Sequence, residues 1–152
     1  MNYSLKSNQH TKFNNDSDEE DSVSETDTIN VNGNKVIFHA EVTKETCFKL
    51  IECLEKAKKN VCVDFVNDEF AVMGVIYLYI NSDGGDLFAA LAVIDRLLSS
   101  KVDIITVCEG CVASAGTLIS LAGKQRYIRA NSYMLIHELR SGCLGKYSEC
   151  QD

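Results

Sequence analysis

The chain has 152 residues, enough for one domain with a hydrophobic core, and its 22 acidic and 15 basic residues give a net charge of −7 with no basic footprint for nucleic acid. The apolar content of 45 % is typical of a globular protein, and no apolar run is long enough to span a membrane. The N terminus lacks the apolar core of a signal peptide and the seven cysteines form an odd set, so we expect a cytoplasmic protein with reduced thiols.

The first 34 residues predict a disordered acidic tail. They contain seven acidic residues and two lysines among serines and asparagines, with few apolar side chains. Such a segment cannot bury enough apolar surface to offset the entropy lost on ordering the chain. We therefore expect the folded domain to comprise residues 35–152.

The first predicted elements are a strand at Val36–His39 and a helix over roughly 44–58, with Thr43 as its N-terminal cap. Apolar residues recur on this helix at helical spacing, namely Cys47, Leu50, Ile51 and Leu54. Residues 60–73 are ambiguous and contain an additional strand or an insertion. The next apolar run, 75–80, predicts a strand that is covered on both faces.

Glycines in the run Asn81–Gly85 predict a turn after this strand. A helix follows, marked by Phe88, Leu91, Ala92, Asp95 and Leu98. Further strands are predicted at 103–108, 127–128 and 133–136. Because strands and helices alternate, we predict an α/β fold with parallel strands and with functional loops at their carboxyl ends.

A serine among small residues marks the most informative turn. Ser114 lies within the run Gly110–Gly116 and precedes an apolar, helix-like segment at 117–122. Small neighbours allow a sharp turn and a close approach, which suits a nucleophile that must build and stabilise an oxyanion. Taken alone, the same pattern is more typical of a helix cap.

Two other loops strengthen this interpretation, because parallel strands would bring them to the same edge as Ser114. They carry Gly84 and Gly85 after one strand and His137 after another. The predicted roles are nucleophile for Ser114, general base for His137 and oxyanion-hole donors for the amides of Gly85 and Ala115. Singly, the glycines fit an ordinary strand-to-helix turn, and the histidine fits a strand end.

Cys108 and Cys111 form a single CxxC pair, which is weak evidence for zinc or redox chemistry. Packing at the end of a strand is the favoured interpretation. We predict no metal and no organic cofactor, since the proposed chemistry needs none and no phosphate-binding loop occurs.

Three segments in order resemble the proteolytic subunit of the Clp protease family: Ile76–Gly85, Gly110–Gly116 and Asn131–His137. The resemblance extends over roughly Lys35 to Gly142. It implies a serine endopeptidase with the ClpP/crotonase-like fold, a repeated β-β-α superhelix with mainly parallel strands. It also implies that an extended peptide substrate is bound by Gly84 and by the strand that continues through Glu138, Leu139 and Arg140.

The same resemblance implies partners. Subunits of this family form seven-membered rings, so we expect a homo-oligomer of heptameric rings. An AAA+ ATPase unfoldase would feed unfolded polypeptide into the chamber that these rings enclose. Nucleic acid and membranes are not expected as partners.

The sequence departs from the family pattern at several positions. Asp83 and Leu139 stand where the family has proline, and the negative charge of Asp83 is expected to oppose an oxyanion nearby. The family's third triad residue is an aspartate beyond a long helix that follows the histidine, and this sequence ends at Asp152. We considered Glu138 and Glu149 as substitutes, and expect either a fragment or a degenerate homologue without an orienting acid.

Three alternatives stay open. A non-catalytic ring subunit or interaction protein would retain the fold without the triad. A crotonase-like acyl-CoA enzyme would use a similar oxyanion hole without the serine nucleophile. A Ser/Lys dyad would use Lys124 as the base instead of His137.

Overall fold

The computed structural model describes residues 27–61 and 74–138, and this part of the chain forms six strands and three helices. In chain order they are β1 (Thr28–Asn32), β2 (Lys35–His39), α1 (Lys44–Val61), β3 (Ile76–Ser82), α2 (Leu87–Leu98), β4 (Ile104–Ala113), α3 (Ala115–Leu121), β5 (Gln125–Ile128) and β6 (Tyr133–Leu135). None of the helices in these two ranges is long and apolar enough to cross a bilayer.

The strands form one sheet in the order β1-β2-β3-β4-β5, and β6 also pairs with β4. Every pairing is parallel except that between β1 and β2. The predicted α/β fold with mainly parallel strands is confirmed. Parallel neighbours need crossover connections, which α1 and α2 supply between β2, β3 and β4.

The N-terminal strand β1 corrects the predicted boundary of the acidic tail. Residues 28–32 belong to the sheet, and the hairpin turns at Gly33, which has φ +59°. Ile29 and Val31 pack against the core, because alternate residues of a strand face the same side of the sheet. These two apolar residues anchor the strand although the segment 1–34 is polar on average. The remainder of the predicted tail, residues 1–26, lies outside the described residues.

Helix α1 confirms the predicted cap and apolar face. The Thr43 hydroxyl oxygen accepts a hydrogen bond from the Thr46 amide at 3.1 Å, and the helix extends to Val61, beyond the predicted end. Its buried residues are Thr46, Cys47, Leu50, Cys53, Leu54 and Ala57. Residues 62–73, which include most of the ambiguous segment, lie outside the described residues.

Helix α2 lies where it was predicted but buries a different face. Its buried residues are Ala89, Ala90, Val93 and Leu97. Phe88 and Leu98, which marked the helical spacing, are 77 % and 68 % exposed. The small side chains of Ala89 and Ala90 let the helix approach the core closely, and the bulky residues then lie on the outer side.

Strand β4 is longer than predicted and leads directly into the serine turn. The pairing with β3 runs from Ile76↔Ile104 to Ile80↔Cys108 and resumes only at Ser82↔Val112, so β4 has extra residues at this point. Gly110, with φ +59°, lies within this irregular stretch. Bulges of this kind redirect a strand, and here the strand ends at Ala113, immediately before Ser114.

Candidate active site

Ser114 occupies a strained turn between β4 and α3. Its φ of 52° makes it the only non-glycine residue with a positive φ in the described ranges. Although Ser114 is at the N-cap position of α3, its side chain makes no capping hydrogen bond. The hydroxyl is therefore not engaged as an ordinary helix cap, and strained backbone of this kind is typical of functional turns.

A pocket of about 620 Å³ contains the predicted catalytic residues. Its lining includes Ser114, Ala115, Gly85 and His137. The rest of the lining is largely apolar and consists of Leu87, Thr117, Leu118, Leu121, Leu135 and Ile136. The structure thus brings together the four residues to which the sequence assigned nucleophile, base and oxyanion hole.

The strand that carries His137 is fixed to the serine turn through one carbonyl. Strand β6 pairs with the end of β4, where Leu135 is opposite Ala113. The Leu135 carbonyl oxygen accepts hydrogen bonds from the Ser114 amide and from the Thr117 hydroxyl, both at 3.2 Å. These contacts explain why β6 delivers His137 to the same pocket as Ser114.

The His137 ring has one defined partner. Its Nδ1 lies 2.7 Å from the backbone carbonyl oxygen of Glu138. A carbonyl only accepts hydrogen bonds, so this contact requires a proton on Nδ1, and in the neutral ring Nε2 is then the acceptor. Within the described ranges no hydrogen bond joins the ring to the Ser114 hydroxyl; in apo structures such bonds are often long and tighten on substrate binding.

The glycine loop lies directly against the serine turn. Gly84 is hydrogen-bonded through its carbonyl to the Val42 amide at 2.7 Å and through its amide to the Ser82 hydroxyl at 3.2 Å. The Asp86 amide in turn donates to the Val42 carbonyl at 2.7 Å. Between these contacts, the Gly85 amide donates to no backbone carbonyl of residues 27–61 and 74–138, and the same holds for the Ala115 amide.

A family model described as Clp protease matches residues 39–152. The chain belongs to the Clp protease family. It is 41 % identical over 113 residues to the ATP-dependent Clp protease proteolytic subunit 2 of Treponema pallidum (strain Nichols), covering 73 % of this chain and 52 % of that relative. The corresponding subunit 2 of Treponema denticola is 31 % identical over 123 residues, covering 80 % of this chain and 56 % of the relative.

A mutant of ClpP1 from Listeria monocytogenes has a similar solved structure, with a TM-score of 0.56 and 25 % identity. That similarity covers 68 % of this chain and 56 % of the Listeria chain. The chain thus spans about half the length of the Clp protease subunits that it matches.

Two charged residues that the sequence singles out, Asp83 and Lys124, do not line the Ser114 pocket. Asp83 is exposed and lines a neighbouring cavity with His39 and Glu41. Gly85, the proposed oxyanion donor, lines both this cavity and the Ser114 pocket. Lys124 donates to the Asp103 carboxylate at 2.7 Å and lines another cavity. The expected effect of the Asp83 charge on the oxyanion therefore stays a prediction, and the described residues give no support to a Ser/Lys dyad with Lys124.

The structure describes two of the four predicted substrate-binding residues, Gly84 and Glu138. Gly84 lies against Ser114 but does not line its pocket, and Glu138 is exposed, with its carbonyl on the His137 ring. Leu139 and Arg140 lie outside the described residues. The sequence does not single out Thr117, for which the only signal is its spacing of three residues from Ser114 on a helix. It also gives no signal for the Leu135 carbonyl, because a backbone carbonyl occurs at every residue.

Proposed function

We propose that this chain is a serine-type peptidase subunit of a Clp protease, with Ser114 as nucleophile and His137 as general base. The observation that carries the proposal is the pocket that Ser114 and His137 share with Gly85 and Ala115. The Ser114 side chain makes no capping hydrogen bond, and the amides of Gly85 and Ala115 donate to no backbone carbonyl of the described residues. Membership of the Clp protease family supports it independently.

In the proposed reaction, the Ser114 Oγ attacks the scissile carbonyl while His137 Nε2 removes its proton. The amides of Gly85 and Ala115 donate to the developing oxyanion, and each such donor typically contributes about 3–4 kcal/mol to lowering the barrier. The protonated histidine then returns its proton to the leaving amine. Water, activated by the same imidazole, hydrolyses the acyl-enzyme and restores the serine.

The orientation of the base rests on the Glu138 carbonyl. Because this carbonyl accepts from Nδ1, it selects the tautomer in which Nε2 can take the proton from serine. A carbonyl lacks the full charge of a carboxylate and stabilises the imidazolium less well. We therefore propose that these residues alone give slower turnover than a triad with an acid.

The lining of the pocket favours substrates with apolar side chains. Five large aliphatic residues line the space beside the proposed nucleophile, namely Leu87, Leu118, Leu121, Leu135 and Ile136. An aliphatic or aromatic side chain next to the scissile bond would bury its surface there, whereas a charged one would lose hydration without a partner. Unfolded polypeptide, which exposes such residues, is the proposed substrate, bound by Gly84 and the segment of Glu138, Leu139 and Arg140.

The proposal includes assembly into heptameric rings that work with an AAA+ ATPase unfoldase in the cytoplasm. Large apolar side chains stand exposed on α1 and α2, among them Phe48 at 64 % and Phe88 at 77 %. An apolar surface of this kind is typical of contacts between subunits. Light scattering on the purified full chain tests this part, and a persistent monomer would contradict it.

A fluorophosphonate probe tests the chemistry, because it reacts with an activated serine irrespective of substrate preference. We expect labelling of the wild-type chain, none of Ser114→Ala and at least about 100-fold slower labelling of His137→Ala. Lys124→Ala is the matched control and should label at the wild-type rate. Labelling that survives Ser114→Ala, or its absence from a folded and assembled wild type, would refute the proposal.

A second candidate is a non-catalytic ring subunit. The observation that favours it is that no carboxylate of the described residues forms an ion pair with His137, whose ring is held only by the neighbouring carbonyl. This candidate predicts co-assembly with an active paralogue and no turnover by the isolated chain. The fluorophosphonate experiment separates the two.

A further inference from the structure

Thr117 lines the same pocket as the two proposed catalytic residues, and its hydroxyl is hydrogen-bonded to backbone carbonyls and to neither of their side chains. It is 3 % exposed, and its hydroxyl lies 3.1 Å from the Val112 carbonyl oxygen and 3.2 Å from that of Leu135. The first contact is within the β4–α3 unit, and the second crosses to β6. One hydroxyl proton is thus shared between the strand that precedes the nucleophile and the strand that precedes the base.

The contact to Leu135 is part of a two-donor anchor. The same Leu135 carbonyl accepts from the Ser114 amide, and the Thr117 amide donates to the Ser114 carbonyl at 3.0 Å. Ser114, Thr117 and Leu135 therefore form a closed set of hydrogen bonds around the strained turn. A carbonyl has two acceptor sites, so both donors bind it at once.

The anchor lies at the last point where β6 is held before the histidine. The pairing of β6 with β4 ends at Leu135, and residues 136–138 have no strand or helix assignment. His137 follows only two residues after the anchored carbonyl. The direction in which the chain leaves Leu135 consequently sets where the imidazole lies relative to the Ser114 hydroxyl.

We infer that Thr117 is a positioning residue, whose hydroxyl fixes the strand of His137 to the turn of Ser114. The inference deepens the proposed function and rests on it for its catalytic consequence. Its structural part, that the Thr117 hydroxyl holds β6 against the serine turn, can be measured without any catalysis.

The variants are chosen to separate this anchor from general loss of packing. Thr117→Val keeps the shape of the side chain and removes the hydroxyl, and Thr117→Ser restores the hydroxyl. Ser120→Ala is the matched control on the same helix: Ser120 is also buried, and its hydroxyl donates to the Thr117 carbonyl at 2.7 Å without reaching β6. Thr117→Val and Ser120→Ala thus each delete one buried hydroxyl of α3.

The first measurement is hydrogen exchange by mass spectrometry on the full chain, with short peptides that contain Ser114 and residues 133–137. Thr117→Val should speed exchange at both segments about tenfold, because opening of the β6 anchor becomes easier. Thr117→Ser should stay within about twofold of wild type, and Ser120→Ala should leave both segments unchanged. Equal acceleration by Thr117→Val and Ser120→Ala, or none by Thr117→Val, overturns the inference.

The second measurement is the rate of fluorophosphonate labelling. Thr117→Val should slow it about tenfold, with rescue by Thr117→Ser, because a displaced base removes the serine proton less efficiently. In a His137→Ala background, Thr117→Val should cause no further slowing, since its effect passes through the histidine. If the wild type is inert while exchange responds as expected, the anchor stands and the proposed function fails. Normal labelling by Thr117→Val refutes the catalytic part of the inference.

Discussion

Gly84 and Ser114 are in such close contact that a methyl group on residue 84 would lie 2.6 Å from the Ser114 Cβ. The same methyl would lie 2.9 Å from the Ala113 carbonyl oxygen, and Gly84 has a φ of +99°. Both space and backbone conformation therefore require glycine here. The contact fixes the spacing between the glycine loop and the serine turn, and thereby the position of Gly85, one residue on.

This contact predicts that Gly84→Ala removes activity and lowers stability. The added methyl must push the glycine loop away from the serine turn, which moves Gly85, the proposed oxyanion donor, away from Ser114. We expect fluorophosphonate labelling to fall by at least about 100-fold, since misplacing one donor has effects of this size. The free energy of unfolding, measured with urea, should fall by about 2–4 kcal/mol from overlap and backbone strain.

Gly33→Ala is a control that measures the cost of backbone strain without steric overlap. Gly33 also has a positive φ of +59°, but no atom lies within 4 Å of the position of a new methyl group. We expect a loss of about 1 kcal/mol and unchanged labelling. Equal losses of stability in the two variants would show that the overlap at Gly84 is relieved without cost.

The strained backbone of Ser114 predicts that replacing this serine by glycine raises stability relative to alanine, although both changes remove the hydroxyl. Glycine adopts the observed φ of 52° without strain, whereas serine and alanine adopt it only at a cost in energy. The free energy of unfolding of Ser114→Gly should therefore be about 1 kcal/mol higher than that of Ser114→Ala, although both variants lack the proposed nucleophile. Urea unfolding of the two inactive variants measures this difference directly. A Ser114→Ala variant as stable as Ser114→Gly would show that the turn is not strained.

The order of elements and the three functional loops were predictable because they depend on local features. Clusters of small residues, as at Gly84, Gly85 and around Ser114, are typical of turns, and continuous apolar runs are typical of strands covered on both faces. The parallel arrangement then brings the loops to one edge. For this reason the shared pocket of Ser114 and His137 was predictable from the sequence.

Features that depend on long-range packing were not predictable. Strand β1 is stabilised by pairing with β2, which the local pattern of its polar residues does not reveal. The outward orientation of Phe88 depends on how closely Ala89 and Ala90 approach the core. The anchor at Leu135 is a backbone carbonyl, and its partners are set by the β6–β4 register rather than by any side-chain pattern.

The start of α2 predicts a measurable capping contribution from Asp86. Its carboxylate accepts hydrogen bonds from the amides of Phe88 at 2.8 Å and Ala89 at 3.1 Å. Asp86→Ala leaves both amides without these bonds and should lower the free energy of unfolding by about 1 kcal/mol. Asp86→Asn retains a side-chain oxygen that can accept these bonds, so the free energy of unfolding should fall by about half as much or less. This smaller loss is expected because the negative charge at the start of the helix is removed. Equal stability of all three proteins in urea would contradict the capping role.

The buried thiol of Cys47 predicts that stability declines in alkaline solution. Burial, reinforced by the nearby Asp86 carboxylate, raises the pKa of Cys47 from 9.0 to about 11. Burial also raises the pKa values of Cys53 and Cys108. Below pH 9.0 these thiols are protonated in both the folded and the unfolded chain, and their contribution to stability is complete. Between pH 9.0 and about 11 the unfolded chain releases the Cys47 proton while the folded chain retains it, so the free energy of unfolding falls as the pH rises.

Cys47→Ala isolates this effect from other groups that titrate in the same range. The substitution should lower the free energy of unfolding at neutral pH by about 1 kcal/mol through lost packing. Above about pH 9 the difference between the variant and the wild type should shrink, because only the wild type is destabilised by ionisation of the Cys47 thiol. Urea unfolding of both proteins at a series of alkaline pH values gives the difference. Parallel curves for wild type and Cys47→Ala would mean that the thiol titrates alike in both states. Asp86→Asn should shift the onset of Cys47 ionisation to lower pH, since the carboxylate that disfavours the thiolate is removed.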